Sequence, residues 1–263
     1  MNKSKIVLII PAYNEALSLP DVLANVPGIV THVIVADNGS TDGTGEIALS
    51  LGARVVYEPR PGYGNACMAA IAALDNDPPD IVAFADGDGS DGVENLPVLL
   101  KPLMDAEADM TLAQRMPETE QALTPQQRFG NMLSVTLIRL FWGYRYKDLG
   151  PMRALTWQAL KQINMSERAF GWTVEMQIKA AKLKMRVIEF RLPYRTRKGG
   201  ASKVSRTLKG VVFAGMRILW VIAKELLAGN RTVCNDLKMH TEIRNGNDLM
   251  KQKNVQGVTQ KAR

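Results

Sequence analysis

Asp86, Asp88 and Asp91 stand together in the stretch DGDGSD. Carboxylates this close repel one another unless a cation sits among them. Asp86 and Asp88, one residue apart, offer hard oxygen ligands of the kind Mg²⁺ and Mn²⁺ take. Such a cation usually keeps waters and completes its shell with a substrate's phosphates. The plainer alternative is a solvated turn of Asp and Gly.

The elements that must position these groups follow from the hydrophobic pattern. Residues 81–85 (IVAFA), leading into Asp86, are an uninterrupted apolar run, as a strand buried on both faces requires. Earlier strands are expected at 5–10, broken by Pro11, at 32–36, ending in Asp37, and at 54–57. Between them lie helices from 12–15 to about residue 26, through residue 51, and over 63–74; Ser40, Thr41 and Asp42 are candidate N-caps of the second. Strand–helix alternation of this kind implies an α/β fold with a mostly parallel sheet covered on both faces. Ligands bind such sheets beyond the strands' carboxyl ends, where Pro11, Asp37 and Asp86 converge. No GxGxxG or GxxxxGK[ST] follows the first strand, which argues against nicotinamide and P-loop sites.

Farther along, a helix is expected over 93–106, with Pro97 and Pro102 weighing against its continuity. A fifth strand is expected at 109–114, with Arg115 after it, then a polar loop at 117–126 and a helix over 129–142 opened by Arg128. Residues 148–153 read as a turn into a strand, 170–184 as a helix carrying Glu175, and 186–194 as a strand. A basic, glycine-hinged loop spans 195–203.

Charge is divided unevenly. Residues 1–100 hold 4 Lys/Arg against 13 Asp/Glu, a net of −9, whereas residues 101–263 carry +16. An acidic half followed by a basic half suits a metal-using site beside a surface for phosphates or anionic lipid. No zinc-finger, RRM-like or helix-turn-helix signature supports nucleic acid as the partner. The two cysteines, Cys67 and Cys234, suit a reducing compartment. The apolar run after Lys5 is too short for a signal peptide, and no uncharged stretch is long enough for a membrane span.

Four motifs in order, IPAYNE, VADNGSTDGT, GYGNA and DGDGSD, resemble the N-terminal half of family 2 glycosyltransferases, with the GT-A fold. The resemblance implies that Pro11, Ala12, Tyr13, Glu15 and Asp37 line the pocket for the nucleotide's base and ribose, and that Gly64 and Asn65 lie close to it. It further implies that Asp86 and Asp88 hold Mg²⁺ or Mn²⁺ on the diphosphate of a UDP- or GDP-hexose. Arg115, Arg128, the 148–153 block, Glu175 and Arg197…Ser202-Lys203 narrow the resemblance to the polyprenyl-phosphate branch, typified by dolichol-phosphate mannosyltransferase. There the acceptor is a lipid phosphate whose oxygen is already anionic, so a general base is dispensable. Arg115, Arg128, Arg197, Ser202 and Lys203 are then its expected phosphate ligands. Ser90 departs from the glutamine common at that position, and Asp91 or water would take its place on the metal.

Residues 203–227 carry Lys203, Arg206, Lys209, Arg217, Lys224 and Glu225 within an arc of roughly 160° at about 100° per residue. Val211, Val212, Met216, Ile218, Leu219, Ile222 and Leu226 occupy the opposite side. A basic amphipathic helix in the membrane interface is the sharper reading; a helix packed on its own domain or a dimer seam is the plainer one. The expected organisation is a catalytic domain over 1–206, with 1–110 for nucleotide-sugar and 111–206 for acceptor, an interface helix over 203–229 and a disordered tail over 230–263. The expected function is metal-dependent, inverting hexosyl transfer to undecaprenyl or dolichyl phosphate, by an enzyme peripheral to the cytoplasmic membrane face. Transfer to a soluble or saccharide hydroxyl is the first alternative and would need a base, for which Asp148 and Glu175 are candidates. A non-catalytic lipid-phosphate-binding or scaffold protein is the second.

Overall fold

The computed structural model describes residues 4–197, 208–228 and 242–245. Among the described residues eight strands form one mixed sheet in the order β3-β2-β1-β4-β6-β5-β7-β8. They are β1 (Ile6–Ala12), β2 (His32–Asp37), β3 (Arg54–Tyr57), β4 (Ile81–Phe84), β5 (Met110–Pro117), β6 (Arg153–Thr156), β7 (Val187–Tyr194) and β8 (Glu242–Asn245). The helices are α1 (Leu19–Ala24), α2 (Thr44–Ser50), α3 (Tyr63–Ala72), α4 (Leu96–Met104), α5 (Pro125–Trp142), α6 (Trp157–Ile163), α7 (Trp172–Lys182) and α8 (Leu208–Leu227). Every residue of β1 and β4 is buried, as parallel strands covered on both faces must be. Apolar clusters fill both faces of the sheet, one built on Phe84, Trp172 and Ile138, the other on Ile6, Ile10, Leu96 and Phe190.

Only β6 runs against its neighbours, antiparallel to both β4 and β5. The carboxyl ends of β1, β2, β4, β5 and β7 and the amino end of β6 therefore share one edge of the sheet. That edge carries Glu15, Asp37, Asp86, Arg115, Arg153 and Arg197.

Several expectations are corrected. Pro11 does not break the first strand: it pairs with Ala36, and its missing N–H falls on the β4 side, past the last rung at Ile9 and Phe84. Arg115 lies within β5, opposite Leu192, and not after it. Pro102 is accommodated inside α4 at the loss of one ladder bond, and Pro97 sits in the first turn, where an N–H is unsatisfied anyway. Helix α5 starts at Pro125, ahead of Arg128, because Thr124 and Gln127 form a capping box. Helix α2 is preceded by Gly43 with φ +85°, while Asp42 accepts from the Thr44 N–H at 3.1 Å. Within the expected tail, Glu242–Asn245 pairs in parallel with β7.

Candidate active site

Asp86 leaves β4 with its own N–H donating to Asp91 Oδ2 at 2.9 Å. Tyr63, the first residue of α3, holds the Asp86 pKa down against burial. Asp86 Oδ1 is buried with no hydrogen-bond partner. Burial, and next the Asp88 carboxylate, push Asp86 up to about 7. Asp91, 3% exposed, is driven well above the usual carboxylate range by burial and then by Asp86. Ser90 donates to Asp88 Oδ1 through its N–H at 2.9 Å and its hydroxyl at 2.6 Å. Asp88 Oδ2 lies 3.3 Å from Arg197 Nη2, which also donates to Glu15 Oε1 at 2.9 Å.

An orphaned buried acceptor beside a second carboxylate is the situation a divalent cation relieves. The oxygens of Asp86 and Asp88 suit a cation held jointly with a diphosphate. Among the described residues no group of three His, Cys, Asp or Glu is placed to hold a metal by itself. Asp91, expected beside water as a possible further ligand, here turns Oδ2 back onto the Asp86 backbone N–H. Ser90 likewise fixes Asp88 in place.

The arginines differ in their surroundings. Arg115 donates to Asp148 from its backbone N–H at 2.9 Å, Nε at 2.8 Å and Nη2 at 2.8 Å. Its guanidinium stands 5.4 Å from the centre of the Tyr194 ring. Burial alone would lower the Arg115 pKa, but the Asp148 bonds outweigh it and the pKa rises. Arg197 is engaged by Glu15 and Asp88, so the structure sets it at the acidic turn and not at a separate acceptor pocket. Arg128 is exposed and donates to the carbonyls of Leu123 and Glu120, at 3.2 and 3.4 Å; it is not brought to Asp86. Ser202 and Lys203 lie outside the described residues.

Both candidate bases are engaged by donors. Asp148 is occupied by Arg115. Glu175 accepts from the N–H groups of Ser166 and Glu167, from the Ser166 hydroxyl and from Lys179 at 2.9 Å. Burial opposes its charge, yet the bonds led by Ser166 leave its pKa below the usual value. Both carboxylates are structural struts. Arg153, fully buried, binds the carbonyls of Gly150, Pro151 and Thr173 and so fixes the turn that presents Asp148.

On the other flank, Pro11, Ala12 and Asp37 are buried at the strand ends, while Tyr13 is 46% exposed. Asp37 Oδ1 accepts from the Ser40 N–H at 2.9 Å. Asn38, which the sequence reading passed over, donates to the carbonyls of Glu58 and Arg60 and accepts from the Gly62 N–H, each at 2.8 Å. Its place directly after Asp37 was the available signal. Gly62 has φ +139°, and a Cβ on Gly64 would stand 2.3 Å from the Glu167 carbonyl oxygen. Asn65 turns its amide to the Pro61 carbonyl at 3.1 Å.

A mostly parallel sheet with nucleotide-type loops at one edge and an Asp-Gly-Asp turn beside them defines a glycosyltransferase of the GT-A fold. Residues 7–159 match the model described as glycosyl transferase family 2, and the chain belongs to that family. It is 36% identical over 209 residues to an uncharacterized glycosyltransferase of Mycobacterium tuberculosis, covering 80% of this chain and 94% of that one. A dolichyl-phosphate hexose transferase of Haloferax volcanii is 30% identical, with 74% and 84% covered. An undecaprenyl-phosphate mannosyltransferase of Micrococcus luteus is 29% identical, with 78% and 90% covered. Among solved structures, glucosyl-3-phosphoglycerate synthase from Mycobacterium tuberculosis, in complex with Mn²⁺, UDP and phosphoglyceric acid, superimposes with a TM-score of 0.67. It is 22% identical and covers 84% of this chain and 78% of its own.

Proposed function

We propose that the protein transfers a hexose from a nucleotide-diphospho-sugar to a polyprenyl phosphate at a membrane surface. One observation carries this reading: the two carboxylates that could serve as base, Asp148 and Glu175, are saturated with donors, while the guanidinium of Arg115 stands at the same sheet edge as Asp86. An acceptor that is already anionic needs no base and does need cations. The names of the Haloferax and Micrococcus relatives favour the same acceptor.

In this reading Asp86 and Asp88 hold Mg²⁺ or Mn²⁺, which supplies charge neutralisation for the departing nucleoside diphosphate. Asp37 and the backbone of residues 11–15 and 62–65 seat the nucleotide. Arg115, fixed by Asp148 and resting on Tyr194, presents its remaining Nη1 to the acceptor phosphate. An acceptor oxygen forms the new bond to the anomeric carbon as the bond to the diphosphate oxygen breaks, and that oxygen leaves with the electron pair. Configuration inverts and no proton moves.

Helix α8 favours a membrane surface, although in a different orientation from the one expected. Arg217, Lys224 and Glu225 are bonded to the protein's own Glu167, Ser166 and Lys182, and Ile222 is buried in the core. The exposed side is instead an apolar stripe of Phe213, Met216, Leu219, Trp220 and Leu227. Such a stripe suits the headgroup boundary. Among the described residues no helix is long and apolar enough to cross a membrane.

The test supplies UDP- or GDP-hexose labelled in the sugar, Mn²⁺, and vesicles containing undecaprenyl phosphate, with 3-phosphoglycerate offered in parallel. Label extracted into organic solvent supports the proposal. Label on phosphoglycerate, or released only as free sugar, overturns it.

A further inference from the structure

The stretch 166–171 (SERAFG) is packed from two sides. On one side it meets the glycine turn at the start of α3. The Asn65 N–H donates to the Arg168 carbonyl at 2.9 Å, and a Cβ on Gly62 or Gly64 would lie 2.3 Å from the carbonyl oxygen of Arg168 or Glu167. Glycine is needed there because the two backbones touch. On the other side the stretch meets α8. Arg217 donates from Nε and Nη2 to the two carboxylate oxygens of Glu167, at 2.9 and 3.1 Å. Lys224 donates to Ser166 Oγ at 3.0 Å, and a Cβ on Gly171 would lie 2.5 Å from Val221. The Glu167 side chain is 1% exposed.

We infer that Glu167 and Arg217 are positioning residues of the donor site, an ion pair that presses 166–171 against the turn at 62–65 and so fixes that turn's backbone. The inference rests on the reading that Gly64 and Asn65 line the nucleotide pocket. A bidentate pair is directional, so it sets where the Glu167 backbone lies as well as balancing its charge. Without Arg217 the carboxylate is a buried anion that keeps the Ala169 N–H at 3.0 Å but lacks its cation, and moving toward water relieves it. The stretch cannot move outward without releasing the Asn65 N–H and opening the contact at Gly62 and Gly64. Helix α8 lies beyond residues 7–159, the part matched to the family, yet on this account it supports the donor pocket.

The full-length protein is titrated calorimetrically with UDP and with GDP, each with Mn²⁺, and its thermal unfolding is recorded. Variants are Arg217→Met, Glu167→Gln, Arg217→Lys and Lys182→Met. Lys182 pairs with Glu225 at 2.7 Å and anchors α8 at a different point, so it controls for a loosened helix. Arg217→Met and Glu167→Gln are expected to weaken binding of whichever nucleotide the wild type takes by about tenfold, within the usual span for indirect coupling between packed sites. Arg217→Lys recovers part of the loss, and Lys182→Met leaves affinity unchanged even where it lowers Tm. Unchanged affinity in both Arg217→Met and Glu167→Gln overturns the inference, as does equal weakening by Lys182→Met. If Arg217→Met does not fold, Glu167→Gln decides by the same criterion. A wild type that binds neither nucleotide overturns the donor-site reading itself.

Discussion

Replacing Arg115 by Met removes the cation from a nearly enclosed pair. The Arg115 and Asp148 side chains are 13% and 7% exposed, and two of their three hydrogen bonds come from the guanidinium. Breaking a buried pair by deleting one partner costs about 3–5 kcal/mol, because a charge is left without compensation. The third bond, from the backbone N–H of residue 115, survives the substitution and keeps the loss near the lower end. For a domain of this size about 3 kcal/mol corresponds to a Tm lower by roughly 6–12 °C. Differential scanning calorimetry of wild type, Arg115→Met, Asp148→Leu and the double variant closes the cycle. The double variant should recover much of the loss, since neither charge then remains. An Arg115→Met Tm equal to that of the wild type would refute the view that Asp148 depends on this cation. A role limited to acceptor binding would then be the better account of Arg115.

Four further outcomes are expected. Asp88→Asn should abolish Mn²⁺-dependent transfer while leaving Tm nearly unchanged, as read by product formation and calorimetry; substantial turnover would remove Asp88 from the metal site. Gly64→Ala should lower stability by about 1–3 kcal/mol and weaken nucleotide binding, since its Cβ would meet a backbone oxygen at 2.3 Å. Glu189, buried on β7, is raised by burial to about 7 even though it accepts from the Lys147 N–H, so its ionisation opposes folding. Its folded pKa exceeds the unfolded value of 4.5, so its stabilising contribution is present below pH 4.5 and lost as pH rises through about 7. Denaturant melts of Glu189→Gln should show a shallower loss over that window, and a parallel curve would contradict the assignment. Trp220→Asp and Met216→Asp, both at exposed positions, should reduce sedimentation with anionic vesicles without lowering Tm, whereas Ile222→Asp should unfold the protein because Ile222 is core.

The central strands were legible because a parallel strand covered on both faces must be an apolar run, and β1 and β4 are such runs. β6 was legible as the strand that the 148–153 turn leads into, but its antiparallel course between β4 and β5 was not, since RALT is four residues long and begins with a charge that the fold buries against carbonyl oxygens. Asp86 and Asp88 were legible by type and spacing. The bond that ties the Asp86 backbone to Asp91 was not, because that partner is set by packing that periodicity does not encode. The helical projection of α8 could not say which side the domain covers, and Phe213, Trp220 and Leu227 of the exposed stripe fall within the arc it gave to charge. Glu167, Ser166 and Lys182, which draw its charges inward, are supplied by distant segments. Ion pairing also decided the roles of Asp148 and Glu175, whose sequence positions alone are equally compatible with a base.

The measurement that tests the account most directly compares undecaprenyl phosphate with undecaprenol as acceptor, in the same vesicles, with saturating nucleotide-sugar and Mn²⁺. Because Asp148 and Glu175 are engaged and an anionic oxygen is the nucleophile, the account predicts sugar transfer to the phosphate and none above background to the alcohol. Glycosylation of the alcohol at a comparable rate would require a functioning base and would contradict it.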